Sequence, residues 1–230
     1  GVSAVMAADR CADCSSQFVP PLKVFCVSLS SLTSNDLANA DLILASASPR
    51  RSDLLQQIGV RFAVAAENID ESQRPAESAV DYVARLAVEK AQAGWHRHAP
   101  KIPVLGADTI GLLNNKIFGK PVDCDDAVAM LQSLSASTHQ VLSAVAIVNA
   151  HGSEVAVSKT SVTFRTIPVD ECLKYWQTGE PQGKAGAYAI QGFGATFVAH
   201  LEGSYSGVVG LPLLETQRLL ERFNVPTWQQ

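Results

Sequence analysis

An apolar run that ends in a serine- and arginine-rich turn constrains the fold of this chain more than any other feature. Residues 42–45 are all apolar, which is typical of a short buried strand. Ser48 suits the N-cap position of a helix, Pro49 suits the first helical position, and Gly59 suits the position just after a helix. The segment therefore predicts a strand, a tight turn and a helix, which together form the building unit of α/β proteins.

The alternation of apolar runs and amphipathic segments continues along the chain. Ser78 and Asp81 resemble a capping box, and a Gly152 turn joins two long apolar segments as in a β-hairpin. The patterns predict strands near 62–65, 103–107, 141–149 and 154–167, and helices near 77–93, 123–134, 170–178 and 213–223. Because strands and helices alternate, we expect an α/β fold with a mixed sheet.

The first forty residues differ from the rest of the chain. They hold three of the five cysteines, and Cys11 and Cys14 form a C-x-x-C pair. This pair lacks the further ligands of a zinc site and the strand-to-helix context of a redox motif. We expect residues 1–40 to be a leader or a poorly ordered extension, and residues 41–230 to form the functional domain.

Charge and hydropathy argue against two classes of binding partner, membranes and long nucleic acids. The chain has 230 residues, 47% of them apolar, and no run of 18 apolar residues that would predict a membrane helix. Its net charge of -4 disfavours a protein that neutralises the phosphates of a long nucleic acid. We expect a cytoplasmic protein that binds neither a membrane nor long nucleic acid.

Two serines and two arginines lie in the turn after the first apolar run. A helix N-terminus presents unpartnered backbone N–H groups and a partial positive charge. Arginine adds planar sets of N–H donors that match phosphate oxygens. Ser46, Ser48, Arg50 and Arg51 are therefore candidates for an anion-binding turn. A helix cap followed by two solvated arginines is the alternative interpretation.

Asp108 and Thr109 follow the apolar run at residues 103–107, and we expect the strand to end there. Ligands of α/β sheets bind beyond the carboxyl ends of strands. An aspartate at such an end is suited to hold a metal ion or to orient a water molecule. Taken alone, it is equally compatible with a carboxylate that caps a turn.

Further charged residues lie in predicted loops and near a helix end. Asp70 and Glu71 follow the strand near residues 62–65, Lys90 lies near the end of a helix, and Lys120 and Lys184 lie beside glycines. Each of them alone is typical of a solvated surface. Together, lysines and carboxylates are the groups that metal-assisted phosphoryl or nucleotidyl transfer requires.

Other catalytic motifs are missing from the sequence. It has no G-x-x-x-x-G-K-[ST], no G-x-G-x-x-G after a strand, no G-x-S-x-G and no H-E-x-x-H. His96 and His98 are expected in a loop before Pro100. The phosphate chemistry would therefore not use the common ATPase loop.

Five ordered motifs together resemble the Maf (septum formation) family. The resemblance covers roughly residues 41–223 and leaves out the leader. Its motifs are LILASASPRR at 42–51, GADT at 106–109, GKP at 119–121, KAGAYAIQG at 184–192 and VGLP at 209–212.

The resemblance implies a fold similar to the inosine triphosphate pyrophosphatases: an elongated mixed sheet flanked by helices, with a central cleft. It implies hydrolysis of a nucleoside triphosphate to the monophosphate and pyrophosphate with a divalent cation, Mg²⁺ or Mn²⁺, and a homodimer. In this resemblance Asp108 is the proton acceptor. Phosphate binding falls to Ser46, Ser48, Arg51, Lys90 and Lys120, and metal binding to Asp70, Glu71 and Asp108. The arginines and these two lysines should converge on one cleft.

Three positions distinguish the branches of this family, and here they are Arg50, Thr109 and Gln191. All three resemble the branch that acts on dTTP and UTP. The amide of Gln191 offers both a donor and an acceptor, as a uracil or thymine edge requires. Modified uridine triphosphates remain alternative substrates. A nucleotide-binding regulator of cell division with little catalysis is the alternative function.

Overall fold

The computed structural model describes residue 37, residues 39–98 and residues 101–229. The Cys11/Cys14 pair and most of the predicted leader lie outside these residues. Within them, one mixed sheet carries helices on both faces. None of the helices in this part of the chain has the length and hydropathy needed to cross a membrane.

In the described residues the sheet has seven strands in the order β2-β1-β3-β5-β6-β7, with β4 paired to β3. β1 runs parallel to β2 and β3, and the other neighbours are antiparallel, so the predicted mixed sheet is confirmed. The strands are β1 (Leu42–Leu44), β2 (Phe62–Val64), β3 (Val104–Leu113), β4 (Lys116–Phe118), β5 (Thr138–Asn149), β6 (Gly152–Phe164) and β7 (Val198–Glu202).

The helices lie between the strands, as the sequence pattern predicts. They are α1 (Pro49–Gln57), α2 (Ala79–His98), α3 (Cys124–Leu134), α4 (Val169–Gln177), α5 (Tyr205–Val209) and α6 (Leu213–Arg222), with 3₁₀ turns at Ala185–Ala187 and Phe193–Phe197.

Alternate residues of β5 pack on opposite faces of the sheet. Ala144 and Ala146 contact the apolar face of α2 on one side. Val145 and Ile147 join the cluster that contains α1 and α6 on the other side. Because side chains alternate along a strand, one long apolar strand supplies both layers of the core.

The prediction that β3 ends at Asp108 and Thr109 is wrong. β3 continues to Leu113 because β5 pairs with it from Val104 through Leu112. Its other edge is covered differently: β1 pairs only as far as Leu105, and β4 pairs only from Gly111. In the described chain, the middle of β3 therefore has an edge without a strand partner, and the cleft opens there.

The second helix is longer than predicted. α2 runs to His98 rather than to residue 93, so His96 and His98 lie in its last turn and not in a loop. Basic groups in that turn favour the helix dipole, and the Glu67 carboxylate accepts hydrogen bonds from the Arg97 and His98 side chains there. Sequence periodicity alone does not reveal this stabilisation.

Candidate active site

A cleft of about 650 Å³ opens beside the exposed edge of β3. Its walls are the turn between β1 and α1, the loop after β2, the inner face of α2, the loop before the first 3₁₀ turn, and the end of α5. β1 ends at Leu44, so the turn that follows it points into the cleft, as expected for a parallel strand.

Backbone carbonyls at the end of α5 hold the two arginines of the turn. Arg51 donates from Nε to the carbonyl oxygen of Gly210 at 2.9 Å and from Nη1 to Oγ of Ser46 at 2.9 Å. Arg50 donates from Nε to the carbonyl of Val209 at 3.2 Å. Ser48 occupies the N-cap position of α1, but its side chain makes no capping hydrogen bond. Both guanidinium groups are therefore fixed by a segment more than 150 residues away.

Lys90 is a buried charged residue of the cleft, with 8% of its surface exposed. Its Nζ lies 2.7 Å from Oδ1 of Asp108 and 2.7 Å from Oε1 of Glu71. Burial alone would raise the pKa of Glu71, but the hydrogen bond from Lys90 and the nearby positive charges hold that pKa below its usual value. The lysine therefore holds two carboxylates at one point.

Glycine 106 lets α2 approach β3 closely enough for the Lys90 contact. A Cβ at Gly106 would overlap the carbonyl oxygen of Ala87 and lie 2.5 Å from the amide nitrogen of Ala91. Both of those atoms belong to the α2 backbone, which has no room to give way locally. The glycine of the GADT motif therefore sets the distance between the helix and the strand that carries Asp108.

Thr109 points to the opposite side of β3 from Asp108, as strand alternation requires. Its Oγ1 lies 3.0 Å from Oγ of Ser143 and 3.4 Å from the carbonyl oxygen of Gly210. Gln191 lies across the cleft in an exposed loop. Within the described residues, no hydrogen bond fixes its side-chain amide.

Ten of the eleven site residues predicted from the sequence line this one cleft; they are Ser46, Ser48, Arg50, Arg51, Glu71, Lys90, Asp108, Thr109, Lys120 and Gln191. Asp70 is the exception, since it does not line the cleft and its carboxylate accepts hydrogen bonds from the backbone and the hydroxyl of Ser72. The predicted convergence of the arginines and the two lysines on one cleft is therefore what the structure displays.

Three residues of the cleft are missing from the predicted site. Lys184 lies near Arg50, and burial followed by the Arg50 charge lowers its pKa. Glu67 has a side chain only 5% exposed. Tyr82 donates from its hydroxyl to the carbonyl oxygen of Glu71 at 2.7 Å and so anchors the Glu71 loop to α2. Only Lys184 carried a sequence signal, through its glycine-containing motif.

The cleft has an excess of positive charge although the chain is acidic overall. Arg50, Arg51, Lys90, Lys120 and Lys184 face three carboxylates. In the part of the chain that the structure describes, Lys90 alone of the five forms an ion pair. Burial lowers the pKa of Arg50 and of Arg51, because a guanidinium group that is partly removed from water loses some of its solvation. A polyanion of nucleotide size would supply the missing negative charge.

Protein ligands for a metal are few in this cleft. Among the described residues, no group of three or more His, Cys, Asp or Glu side chains is placed to hold a metal ion. Glu71 and Asp108 share one lysine nitrogen, so their oxygens lie near each other. Mg²⁺ is commonly bound by one or two carboxylates, with substrate phosphates and water completing its octahedron. This pair of hard oxygen donors fits that kind of site.

A family model described as Maf-like protein matches residues 41–223. The chain belongs to the Maf family. Every residue that lines the cleft falls inside the Maf match. The family relationship and the geometry therefore concern the same part of the chain.

Close Maf relatives carry a common name. The dTTP/UTP pyrophosphatase of Saccharophagus degradans is 51% identical over 194 residues, covering 83% of this chain and 92% of the relative. The dTTP/UTP pyrophosphatase of Hahella chejuensis is 50% identical and covers 81% and 94%. That of Escherichia coli O157:H7 is 50% identical and covers 80% and 93%.

Among the solved structures that are similar to this chain, one example has low sequence identity. It is a nucleoside-triphosphatase, described as a dITP/XTP pyrophosphatase, from Mycobacterium abscessus. The match has a TM-score of 0.39 and 15% identity, and covers 80% of this chain and 95% of that one.

Proposed function

We propose that this Maf chain hydrolyses dTTP and UTP to the nucleoside monophosphate and pyrophosphate. The observation that carries the proposal is the composition of the cleft: four cations without an ion-pair partner among the described residues face the Asp108–Glu71 pair. The cations can bind the negative charges of a triphosphate, and a carboxylate can activate the water molecule that hydrolyses it. The relatives named dTTP/UTP pyrophosphatase, about 50% identical over most of the chain, support the substrate assignment.

In this proposal the positive wall of the cleft binds the triphosphate. Arg51, Lys120 and Lys184 pair with phosphate oxygens, and the turn of Ser46 and Ser48 adds hydroxyl and backbone donors at the start of α1. The Arg51 guanidinium already uses Nε and Nη1 on the protein, so its remaining N–H donors are oriented before the substrate arrives. Preorganised donors stabilise developing charge without reorganisation in the transition state.

Asp108 accepts the proton of the attacking water. Lys90 binds its Oδ1, which holds the carboxylate in place and leaves Oδ2 for the water. The water oxygen attacks the α-phosphorus while the bond from that phosphorus to the oxygen bridging it to the β-phosphorus breaks. The water proton passes to Asp108, and the cations that bind the β- and γ-phosphates stabilise the leaving pyrophosphate.

Glu71 and Asp108 would hold the divalent cation, Mg²⁺ or Mn²⁺, that the family resemblance implies. When bound, such an ion neutralises charge on the phosphate oxygens and lowers the barrier to attack. Asp70 has no part in this proposal because its carboxylate lies outside the cleft. The tight Lys90 contact with both carboxylates would compete with the ion for their oxygens.

Substrate choice is assigned to Arg50, Thr109 and Gln191, which line one cleft in the structure. The Gln191 amide supplies a donor and an acceptor for the edge of the base. We further propose that residues 41–230 form the hydrolase domain, that residues 1–40 are a leader, and that the chain is a cytoplasmic homodimer.

The test is a panel of dTTP, UTP, CTP and GTP with Mg²⁺ or Mn²⁺, read out by separating nucleotide products and by measuring pyrophosphate and orthophosphate separately. Equal amounts of monophosphate and pyrophosphate from dTTP and UTP support the proposal. Release of orthophosphate contradicts the reaction. A higher kcat/KM for modified uridine triphosphates than for dTTP and UTP would assign those nucleotides as the substrates. Tight binding without turnover would favour the regulatory function.

A further inference from the structure

We propose that Ser143 is a positioning residue that fixes the Thr109 hydroxyl as a hydrogen-bond acceptor toward the cleft, and so selects bases that present an N–H donor. The ligand group that matches is the imide N3–H of uracil and thymine. This inference rests on the proposed function, and it explains how that function would reject cytosine.

The register of the sheet places Ser143 directly opposite Thr109. The two residues pair across β3 and β5, so their side chains lie on the same face. Ser143 is 1% exposed and interrupts a strand whose neighbouring residues are apolar. Its Oγ donates to the carbonyl oxygen of Gly207 at 2.5 Å and lies 3.0 Å from Oγ1 of Thr109. The buried Ser143 hydroxyl therefore makes its hydrogen bonds within the protein and not to a ligand.

The protons of these two hydroxyls can be assigned by counting donors. Each hydroxyl has one proton, and a carbonyl oxygen has none. Ser143 therefore donates its proton to the carbonyl oxygen of Gly207, 2.5 Å away. The 3.0 Å contact then needs the Thr109 proton, because two oxygens at that distance without a proton between them repel each other.

The alternative acceptor for the Thr109 proton is the carbonyl oxygen of Gly210 at 3.4 Å, which already accepts a shorter hydrogen bond from Arg51. In both arrangements the Thr109 proton is used inside the protein. Thr109 lines the cleft, so what its oxygen offers to a ligand is a lone pair. The Thr109 hydroxyl is therefore set as a hydrogen-bond acceptor before a substrate binds.

To tell uracil from cytosine, the site needs a group that can act only as a hydrogen-bond acceptor. Gln191 is not such a group. A glutamine amide can rotate by a half turn and exchange its donor for its acceptor. In the described chain, no hydrogen bond prevents that rotation for Gln191. Uracil and thymine carry a donor at N3, whereas cytosine carries an acceptor there, so Gln191 alone can satisfy either base. An acceptor-only Thr109 attracts the N3–H of uracil and repels the N3 lone pair of cytosine.

The experiment compares kcat/KM for UTP and CTP in the wild-type protein and in Ser143→Ala. UTP and CTP share their ribose and triphosphate, so a change in their ratio reports the base edge alone. Ser143→Ala removes the nearer acceptor of the Thr109 proton and leaves only the Gly210 carbonyl oxygen at 3.4 Å, which Arg51 already occupies at 2.9 Å. The proton is then held more weakly and can turn toward the cleft. We expect the UTP-to-CTP preference to fall about 5- to 10-fold, the size of one hydrogen bond, while UTP turnover changes less.

Thr109→Val is the second variant, since it removes the hydroxyl with little change of shape and does not depend on Ser143. It should relax the same ratio, and the double variant Ser143→Ala/Thr109→Val should relax it no further. Ser158→Ala is the matched control: Ser158 is also buried and lies opposite Ser143 in the sheet, but makes no hydrogen bond to Thr109. It should keep the wild-type ratio.

An unchanged UTP-to-CTP ratio in both Ser143→Ala and Thr109→Val overturns the inference, as does an equal loss of kcat/KM on both nucleotides. These outcomes leave pyrophosphate release from dTTP and UTP intact. Failure of the proposed function is a different result, namely no pyrophosphate from any nucleotide with the wild-type protein.

Discussion

Gly106→Ala tests the packing that places Lys90 against Asp108. The added methyl group would overlap the Ala87 carbonyl oxygen and lie 2.5 Å from the Ala91 amide nitrogen, whereas ordinary contacts begin at 3.4 Å. Helix α2 would therefore have to move away from β3 by about 1 Å along a well-packed face. Overpacking against a rigid backbone should cost about 3 kcal/mol or more.

The assay is thermal unfolding followed by circular dichroism. For a domain of this size, each kcal/mol shifts Tm by roughly 2 to 4 °C, so Gly106→Ala should melt about 6 to 12 °C below the wild type. Hydrolysis should also fall, because α2 carries the Lys90 ammonium away from Asp108 as it moves.

Gly111→Ala is the matched stability control, since it makes the same substitution in the same strand. Its Cβ would meet only the Phe118 side chain at 3.7 Å, an ordinary contact. Its Tm should stay within about 2 °C of the wild type. If Gly106→Ala melts at the temperature of Gly111→Ala, the close approach of α2 does not set this geometry and the reasoning is refuted.

Two further substitutions probe the site and its support. Arg51→Lys should raise KM about 10-fold or more, because a single ammonium group cannot bind Gly210, Ser46 and a phosphate together. Steady-state kinetics on a variant that is shown to be folded would measure this. An unchanged KM would contradict a role of Arg51 in phosphate binding. Arg85 holds the pKa of Glu77 at about 2, chiefly by a hydrogen bond, against an ordinary value of 4.5. An ionised Glu77 with a lowered pKa stabilises the fold above pH 4.5, and this stabilisation is lost as the pH falls toward 2. The Tm measured across this pH range should therefore fall more steeply for the wild type than for Glu77→Gln. Parallel curves would contradict the role of this ion pair.

Local sequence predicts the parts of the site that lie within one turn. Ser46 through Arg51 follow a strand directly and begin a helix, so the anion-binding turn depends only on neighbouring residues. Asp108 and Thr109 were expected at a strand end and lie in mid-strand instead. The open edge there depends on where β1 and β4 stop pairing, which is set by partners distant in sequence.

Long-range packing explains the features that sequence reasoning missed. The burial of Lys90 requires the close contact between α2 and Gly106. The buried Glu67 side chain pairs with Arg97 and His98, about thirty residues away. Ser143 did carry a signal, since it interrupts the apolar run of β5. Its meaning appears only when the sheet register places it opposite Thr109.

The most direct test of the central claim is product analysis of dTTP and UTP hydrolysis by the wild type and by Asp108→Asn. The account predicts one pyrophosphate per monophosphate from the wild type and a kcat at least about 100-fold lower for Asp108→Asn, since the variant lacks the proton acceptor. Asp125→Asn, an exposed position outside the cleft, is the control and should match the wild type. Orthophosphate as the product, or an Asp108→Asn variant as active as Asp125→Asn, would contradict the account.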